Sequence, residues 1–333
     1  MGWPGCWKSD GLASQRPTLP EAALAERSAA PARSAVEVGP ALPDPELQLE
    51  DAHRLNAFTV DVEDWYQSCV DLEAPITERV VRNVHRILEM LDAVGVKGTF
   101  FVQGRVAEAY PGLVQELAAQ GHEIQSHGYS HRSLAGMSEK ELQRELELAR
   151  KTVEDAAGQG VTAFRAPDFS ILASNLWALD VLAEAGFQVD SSIFPGRSPR
   201  YGIPGWELGP HRVMLPSGAE ILEVPVAVWP VAGVRLPVAG GGYLRLLPPS
   251  LVERGIRAVR AQGRPVIVYC HPYEFSQGEL DDYRGEVPRL RRLSQGVGRG
   301  ASVKRMTRLL QALPFGRFDE TLSSWGIAEE SPS

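Results

Sequence analysis

Two histidines four residues apart, in Gln125-Ser126-His127-Gly128-Tyr129-Ser130-His131, and the acidic run Asp61-Val62-Glu63-Asp64 are the residues of this chain best equipped for chemistry. Two imidazoles and one carboxylate can hold a divalent cation and leave a coordination position open. A second carboxylate is then left to take a proton from water. A third histidine, His271 after the apolar run Val266-Ile267-Val268-Tyr269-Cys270, can return one to a leaving group. That set describes a metal-assisted hydrolase. The spacing of the pair suits capture of one ion on a helical turn, where positions four apart project to one side.

Along an extended strand Asp61 and Glu63 point one way, while Val62 and Asp64 point the other. This assigns Asp61 as base and Glu63 as cation ligand, with Asp64 as ligand if the strand ends early and the chain turns. Arg165 is placed to orient Asp61, and Asp190 to hold His271 through a hydrogen bond and keep it protonated. His122, at a strand start, reads as structural and His85, on a helix, as partly solvated. His53 and His211 fall in the N-terminal stretch and a loop. Cys270 should face away from His271 on a strand, which argues against a cysteine nucleophile. Trp65, Tyr66, Trp206, Trp229, Tyr243 and Tyr273 are candidates for a sugar-binding wall, with core packing the competing reading for each.

These residues sit at the ends of expected strands. Ala57–Val62, Thr99–Val102, His122–Ser126, the segment ending at Ala163–Pro167, Phe187–Asp190 and Pro265–Cys270 read as strands. Helices alternate with them. One starts after Thr77 and stops at Gly95, and one runs from Pro111 to Gly121. A third runs from the capping box Ser138/Glu141 to about Ala157, and others cover about 174–185, 249–261 and 303–313. The alternation predicts a parallel sheet with covered faces, whose C-terminal strand ends would gather Asp61, His127, Arg165, Asp190 and His271 in one mouth. The Gly/Pro/Val/Trp-rich stretch 201–243 breaks the rhythm and predicts β-hairpins lining the groove. Its glycines 240–242 lack a Gly-Lys-Ser/Thr ending and read as a close-approach turn rather than a phosphate loop.

The chain has 333 residues, 44% hydrophobic and 23% charged, with net charge -8. That balance does not suggest a nucleic-acid partner. Residues 1–53, rich in Ala, Pro, Ser and Glu, read as a disordered or weakly ordered tail, and 54–333 as one catalytic domain. Cys6, Cys69 and Cys270 match neither a zinc knuckle nor a disulfide framework and read as reduced. With no secretion signal and no apolar run of roughly 20 residues, the expected location is cytoplasmic, with peripheral membrane association through a partner as an option. Seven basic residues and no acid lie between Arg289 and Arg308, and this stretch reads as a solvated helix face, with attraction to an anionic polymer or headgroups as the alternative.

Phe58–Trp65, Ser126–His131, Phe164–Pro167, Val189–Pro195 and Tyr269–Pro272, taken in order, resemble the five motifs of the polysaccharide deacetylase family, also called carbohydrate esterase family 4 or the NodB homology domain. Leu236 through Pro248, with His271-Pro272-Tyr273-Glu274, is similar to the subgroup associated with exosortase and exopolysaccharide gene clusters. The resemblance implies a distorted (β/α)7 barrel with a hairpin-rich insertion at about 201–243 and a C-terminal helical extension at about 276–333. It implies metal-dependent removal of N-acetyl groups from an amino-sugar polysaccharide in exopolysaccharide biosynthesis, with zinc expected and cobalt, nickel or manganese possible. The expected partners are an N-acetylated glycan and membrane-bound exopolysaccharide machinery. By the same resemblance Asp61 is the base, His127 and His131 are ligands, His271 is the acid, and Arg165 and Asp190 support Asp61 and His271. The amide of Asp168 faces the oxyanion. The family's adjacent aspartates are here split by Val62, which leaves the metal carboxylate open between Glu63 and Asp64. Two rival readings are a hydrolase of a non-peptide C–N bond in a small molecule and a vestigial glycan binder.

Overall fold

The computed structural model describes residues 37–41 and 53–328. Seven parallel strands form its centre: β2 (Asn56–Val62), β3 (Thr99–Val102), β4 (Glu123–Ser126), β5 (Ala163–Phe164), β6 (Val189–Asp190), β8 (Glu220–Glu223) and β11 (Ile267–Cys270). Their order is β8-β6-β5-β4-β3-β2-β11, and β12 (Phe315–Gly316) also pairs with β2. On the far edge β7 (His211–Met214) pairs antiparallel with β8, and β1 (Glu37–Ala41) with β7. Among the described residues no ladder joins β8 to β11, so the sheet curls like a (β/α)7 barrel without closing. Between β8 and β11 in the chain lies the hairpin of β9 (Val228–Val231) and β10 (Val234–Pro237), and the passage after it meets β11, where the Tyr269 amide donates to the Ala239 carbonyl.

The helices follow local rules. α1 (Trp65–Cys69) and α2 (Glu78–Val94) follow β2. α2 buries Val80, Val84, Ile87, Leu88 and Leu91 at three- and four-residue spacing, and Gly95 ends it at φ 68°. α3 (Gly104–Ala109) and α4 (Pro111–Ala119) follow β3. α5 (Glu139–Ala157) opens on the reciprocal Ser138/Glu141 capping box. α6 (Ala178–Glu184) starts later than its sequence pattern suggests. α7 (Gly241–Leu246), α8 (Pro249–Arg260), α9 (Arg289–Gly296), α10 (Ser302–Ala312) and α11 (Phe318–Ser324) complete the chain. Strands β2, β3 and β4 are buried throughout, as expected for a sheet covered on both faces.

Three expectations change. Glu220–Glu223, assigned to the insertion, is a strand of the central sheet; its burial alternates poorly because both faces are covered. Glu37–Ala41, inside the stretch read as a tail, is a strand on β7; residues 1–36 and 42–52 lie outside the described residues. Cys69 is disulfide-bonded, against the expectation of reduced thiols, while Cys270 is free and buried. Of the glycines at 240–242 read as a close-approach turn, Gly240 makes the close approach, where a Cβ would meet the Tyr269 ring at 1.9 Å, while Gly241 and Gly242 open α7.

Candidate active site

Asp61 lies within β2, and Glu63 lies one residue past its end. His127, Arg165 and His271 each follow a strand directly, so neighbouring strands deliver their side chains to one mouth. Asp61, Glu63, His127 and His131 are each about 2% exposed.

One ligand atom each from Glu63, His127 and His131 lies within 4.8 Å of the others. Glu63 Oε2 is 3.6 Å from His127 Nε2 and in close ion-pair contact with His131 Nε2, yet it makes no regular hydrogen bond. His127 Nδ1 is 2.8 Å from the Arg165 carbonyl, an acceptor only, so Nδ1 donates there and Nε2 is the ring nitrogen left to face Glu63. Burial pushes Glu63 upward, but His131 first, then His127 and His271, hold it well below the usual carboxylate range. An ionised, buried carboxylate oxygen without a regular hydrogen bond, facing two imidazole nitrogens, fits a divalent cation.

The histidine pair is not on a helical turn. Residues 127–131 form a bend with Gly128 at φ 71° and His131 at φ 64°, both left-handed. Glu145 of α5 ties the bend together, with Oε1 accepting from the amides of Tyr129 (3.1 Å) and Ser130 (2.6 Å) and from Ser130 Oγ (2.8 Å). Gln67 donates to the Ser130 carbonyl and accepts from Gln103. The left-handed turn at Gly128, not helical periodicity, brings both imidazoles to one ion position.

Asp64 serves a different purpose from its neighbour. Its Oδ1 caps α1 by accepting from the amides of Tyr66 and Gln67, and its Oδ2 accepts from the Thr77 amide and hydroxyl at 3.0 and 2.5 Å. Both oxygens are thus engaged at the mouths of two helices, and Asp64 does not join the ligand cluster.

On the opposite side of the mouth, His271 Nε2 lies 4.0 Å from Asp61 Oδ2 and 3.9 Å from Glu63 Oε1. Arg165, fully buried, donates to Asp61 Oδ1 at 2.8 Å and to Thr59 Oγ1 at 2.7 Å, with its guanidinium 4.1 Å from the Phe101 ring centroid. The expected Asp190–His271 pairing is not what the chain builds. The carboxylate at His271 Nδ1 is Glu274, at 3.4 Å, which also accepts from the His271 amide. Arg245 Nε donates to the other Glu274 oxygen at 2.8 Å. Burial pushes Glu274 up, but Arg245 first and His271 next bring it down to about 2. Burial pushes His271 down, and Glu274, Glu63 and Asp61 outweigh it and lift it to about 9. Tyr273 stacks on His271 (centroids 5.0 Å, planes 9° apart) and donates to Glu63 Oε1 at 3.0 Å.

Asp190 faces a second buried acid instead. It accepts from the Ser192 amide and hydroxyl, while Glu223 on the adjoining β8 accepts from the Ile193 amide. Burial first, and then the charge of Asp190, push Glu223 well above the carboxylate range, and burial raises Asp190 as well. Their role is to fix the Ser191–Ile193 loop, where Ser191 receives Arg165 Nη2 and Ser192 Oγ receives the Ala166 amide. At Asp168 the backbone is left-handed (φ 56°), and the acid lies on the Arg200 side, 3.8 Å from its guanidinium.

Glu274, Arg245 and Glu223 have no catalytic or metal role in the sequence reading, and Tyr273 appears there only as an aromatic-wall candidate. Glu274 had a local signal, since it follows His271 by three residues as in a capping box. Of the aromatic-wall candidates, Trp65, Trp206 and Tyr273 are buried. Trp65 packs with Cys69, Tyr273 and Tyr283. His122 is structural as expected, accepting from the Gly98 amide with burial holding it at about 4.

The curled α/β sheet has counterparts among known proteins. Residues 73–189 match the family model described as polysaccharide deacetylase, and residues 191–323 match one described as a domain of unknown function, DUF3473. The match to the polysaccharide deacetylase family covers residues 73–189, about a third of the chain. It is 35% identical over 96 residues to a peptidoglycan-N-acetylglucosamine deacetylase of Bacillus cereus, covering 28% of this chain and 35% of that protein. It is 32% identical over 122 residues to a chitooligosaccharide deacetylase of Sinorhizobium fredii, covering 35% and 54%. The chain thus spans about a third to a half of these two curated relatives. A crystallised polysaccharide deacetylase candidate from Mycobacterium smegmatis shares the fold, with TM-score 0.57, 21% identity and coverage of 89% of this chain and 99% of that one.

Proposed function

We propose that this protein is a metal-dependent hydrolase that removes N-acetyl groups from an amino-sugar polysaccharide, and that it serves exopolysaccharide assembly. The carrying observation is the buried Glu63/His127/His131 cluster beside two differently supported proton carriers, Asp61 and His271. Similarity to named peptidoglycan and chitooligosaccharide deacetylases supports the substrate class. The resemblance of residues 236–248 and 271–274 to the exopolysaccharide-associated subgroup supports the setting.

Glu63, His127 and His131 hold the divalent cation, zinc in the first instance, which when bound supplies Lewis acidity to an amide carbonyl and eases deprotonation of water. The protein's own residues manage the protons. Asp61, oriented by Arg165, accepts a proton as water attacks the acetamide carbon. The Asp168 amide, in its left-handed turn, faces the developing oxyanion. His271, held charged by Glu274, gives its proton to the leaving amine nitrogen, and the C–N bond breaks to acetate and a free amino sugar. Tyr273 holds Glu63 Oε1 and the His271 ring in a fixed relation.

The test is acetate release from N-acetylated glycans by purified protein, after chelation and after adding back zinc, cobalt, nickel or manganese. Release that stops with chelator and returns with metal supports the reading. Hydrolysis confined to small amides in a substrate panel points to a small-molecule C–N hydrolase. Stoichiometric metal binding without turnover on any substrate points to a binder.

A further inference from the structure

Helix α9 is amphipathic with the wrong face outward. Leu290, Leu293 and Val297 recur at i, i+3 and i+7, the stripe a surface helix normally buries, but they are 79%, 58% and 52% exposed. The one buried residue of α9 is Gln295. Val303 at the start of α10 is also exposed, so four of the seven large exposed hydrophobics described fall in this short segment. Fraying does not explain the exposure. Arg291 Nη2 donates to the Cys69 carbonyl, and buried Arg245 donates from Nη1 to the carbonyls of Gln295 (3.0 Å) and Val297 (2.7 Å).

The charge around this stripe is opposite in sign to that of the chain. Residues 289–308 hold seven basic residues and no acid in a protein of net charge -8. Arg289, Lys304 and Arg308 are exposed, and among the described residues none of them forms an ion pair. The exposed acids just before the helix are engaged elsewhere: Asp281 with Arg284, Asp282 with Arg79, and Glu286 with Tyr66.

We propose that Leu290, Leu293 and Val297, with the surrounding basic residues, form a docking face for an anionic lipid surface. Peripheral binding of this kind needs both terms, apolar side chains that leave water and cations that meet headgroup charge. A soluble polyanion would engage the cations and leave the leucines wet. A second copy of the chain would bring like charges together.

The experiment is co-sedimentation of the full chain with phosphatidylcholine vesicles containing about one quarter phosphatidylglycerol, compared with pure phosphatidylcholine. Binding is expected only to the anionic vesicles, weakening with added salt. The double variant Leu290→Ser/Leu293→Ser should bind about tenfold more weakly, with unchanged circular dichroism and thermal midpoint, because the substituted side chains are already in water. Leu293→Trp should show a blue shift in emission on addition of vesicles. Absence of binding at low salt would overturn the proposal. So would binding that the serine variant leaves intact and heparin displaces, which marks a polyanion site. An oligomer lost in the serine variant without vesicles would reassign the face to self-association.

Discussion

His127 and His271 lie in the same mouth and have opposite environments. His127 Nδ1 faces a peptide carbonyl, and its Nε2 is turned toward Glu63 and His131. His271 Nδ1 faces the carboxylate of Glu274, itself pinned by Arg245, and its Nε2 looks onto two more carboxylates. A carbonyl tolerates only the donor it meets, whereas a carboxylate stabilises a positive ring. Under the proposed function, the residue behind each imidazole separates the proposed metal ligand from the proposed proton donor, so the two rings are not interchangeable despite their shared side chain.

The largest expected effects come from removing the ligand side of that contrast. His127→Ala and Glu63→Gln should each bring acetate release to background and lower bound metal, with far-ultraviolet circular dichroism retained. Metal content at wild-type level in both variants would move the site elsewhere. Removing the donor side is expected to cost less. His271→Asn should reduce kcat by about 10²–10⁴-fold, the usual range for a positioned general acid, with metal content unchanged.

A subtler change makes His271 resemble His127. Glu274→Gln removes the first of the groups that lift His271 to about 9. Activity should fall by about 10–100-fold, as for other outer carboxylate–histidine partners. The sign of the pH effect is fixed. A general acid works while protonated, so activity is lost as pH rises through the folded value, and the basic limb of kcat/KM should move to lower pH in Glu274→Gln. In metal-free protein an NMR titration should place His271 near 9. A cation on Glu63 offsets that carboxylate's contribution and should draw the value down, whereas Glu274 keeps its own. Since the folded value exceeds the ordinary 6.5, His271 stabilises the metal-free fold fully below about pH 6.5 and loses that contribution as pH rises through about 9.

The parts of this site that were legible in the sequence are those specified locally. Asp61, Arg165 and His271 stand out because a largely apolar run meets a polar residue, and His127 stands out by its spacing from His131. Ser138/Glu141 and Gly95 bound their helices through contacts within a turn. The partners were not legible where they depend on strand order. Glu223 meets Asp190 only because β8 lies beside β6, and the sequence between them reads as an insertion. Arg245 reaches Glu274 across 29 residues. The exposed stripe on α9 has the same periodicity as a buried one, and periodicity does not tell which side is covered.

The smallest effect tests whether the ligand side depends on one acid of the adjacent pair. Glu63 and Asp64 are equally buried and chemically similar, and the sequence leaves either as ligand. The structure gives Asp64 four donors, two from the amides that open α1 and two from Thr77 before α2. Asparagine at position 64 keeps one oxygen for the α1 cap but turns an amide toward the Thr77 amide, replacing an acceptor with a donor. Asp64→Asn should therefore lower unfolding free energy by about 1–2 kcal/mol, in the range for a lost cap or an unsatisfied buried donor. Metal stoichiometry should stay at the wild-type value. Chemical denaturation and metal analysis on one preparation read both quantities. Loss of metal without loss of stability would make Asp64 the ligand and Glu63 the supporting acid, which inverts the assignment on which the comparison of the two histidines rests.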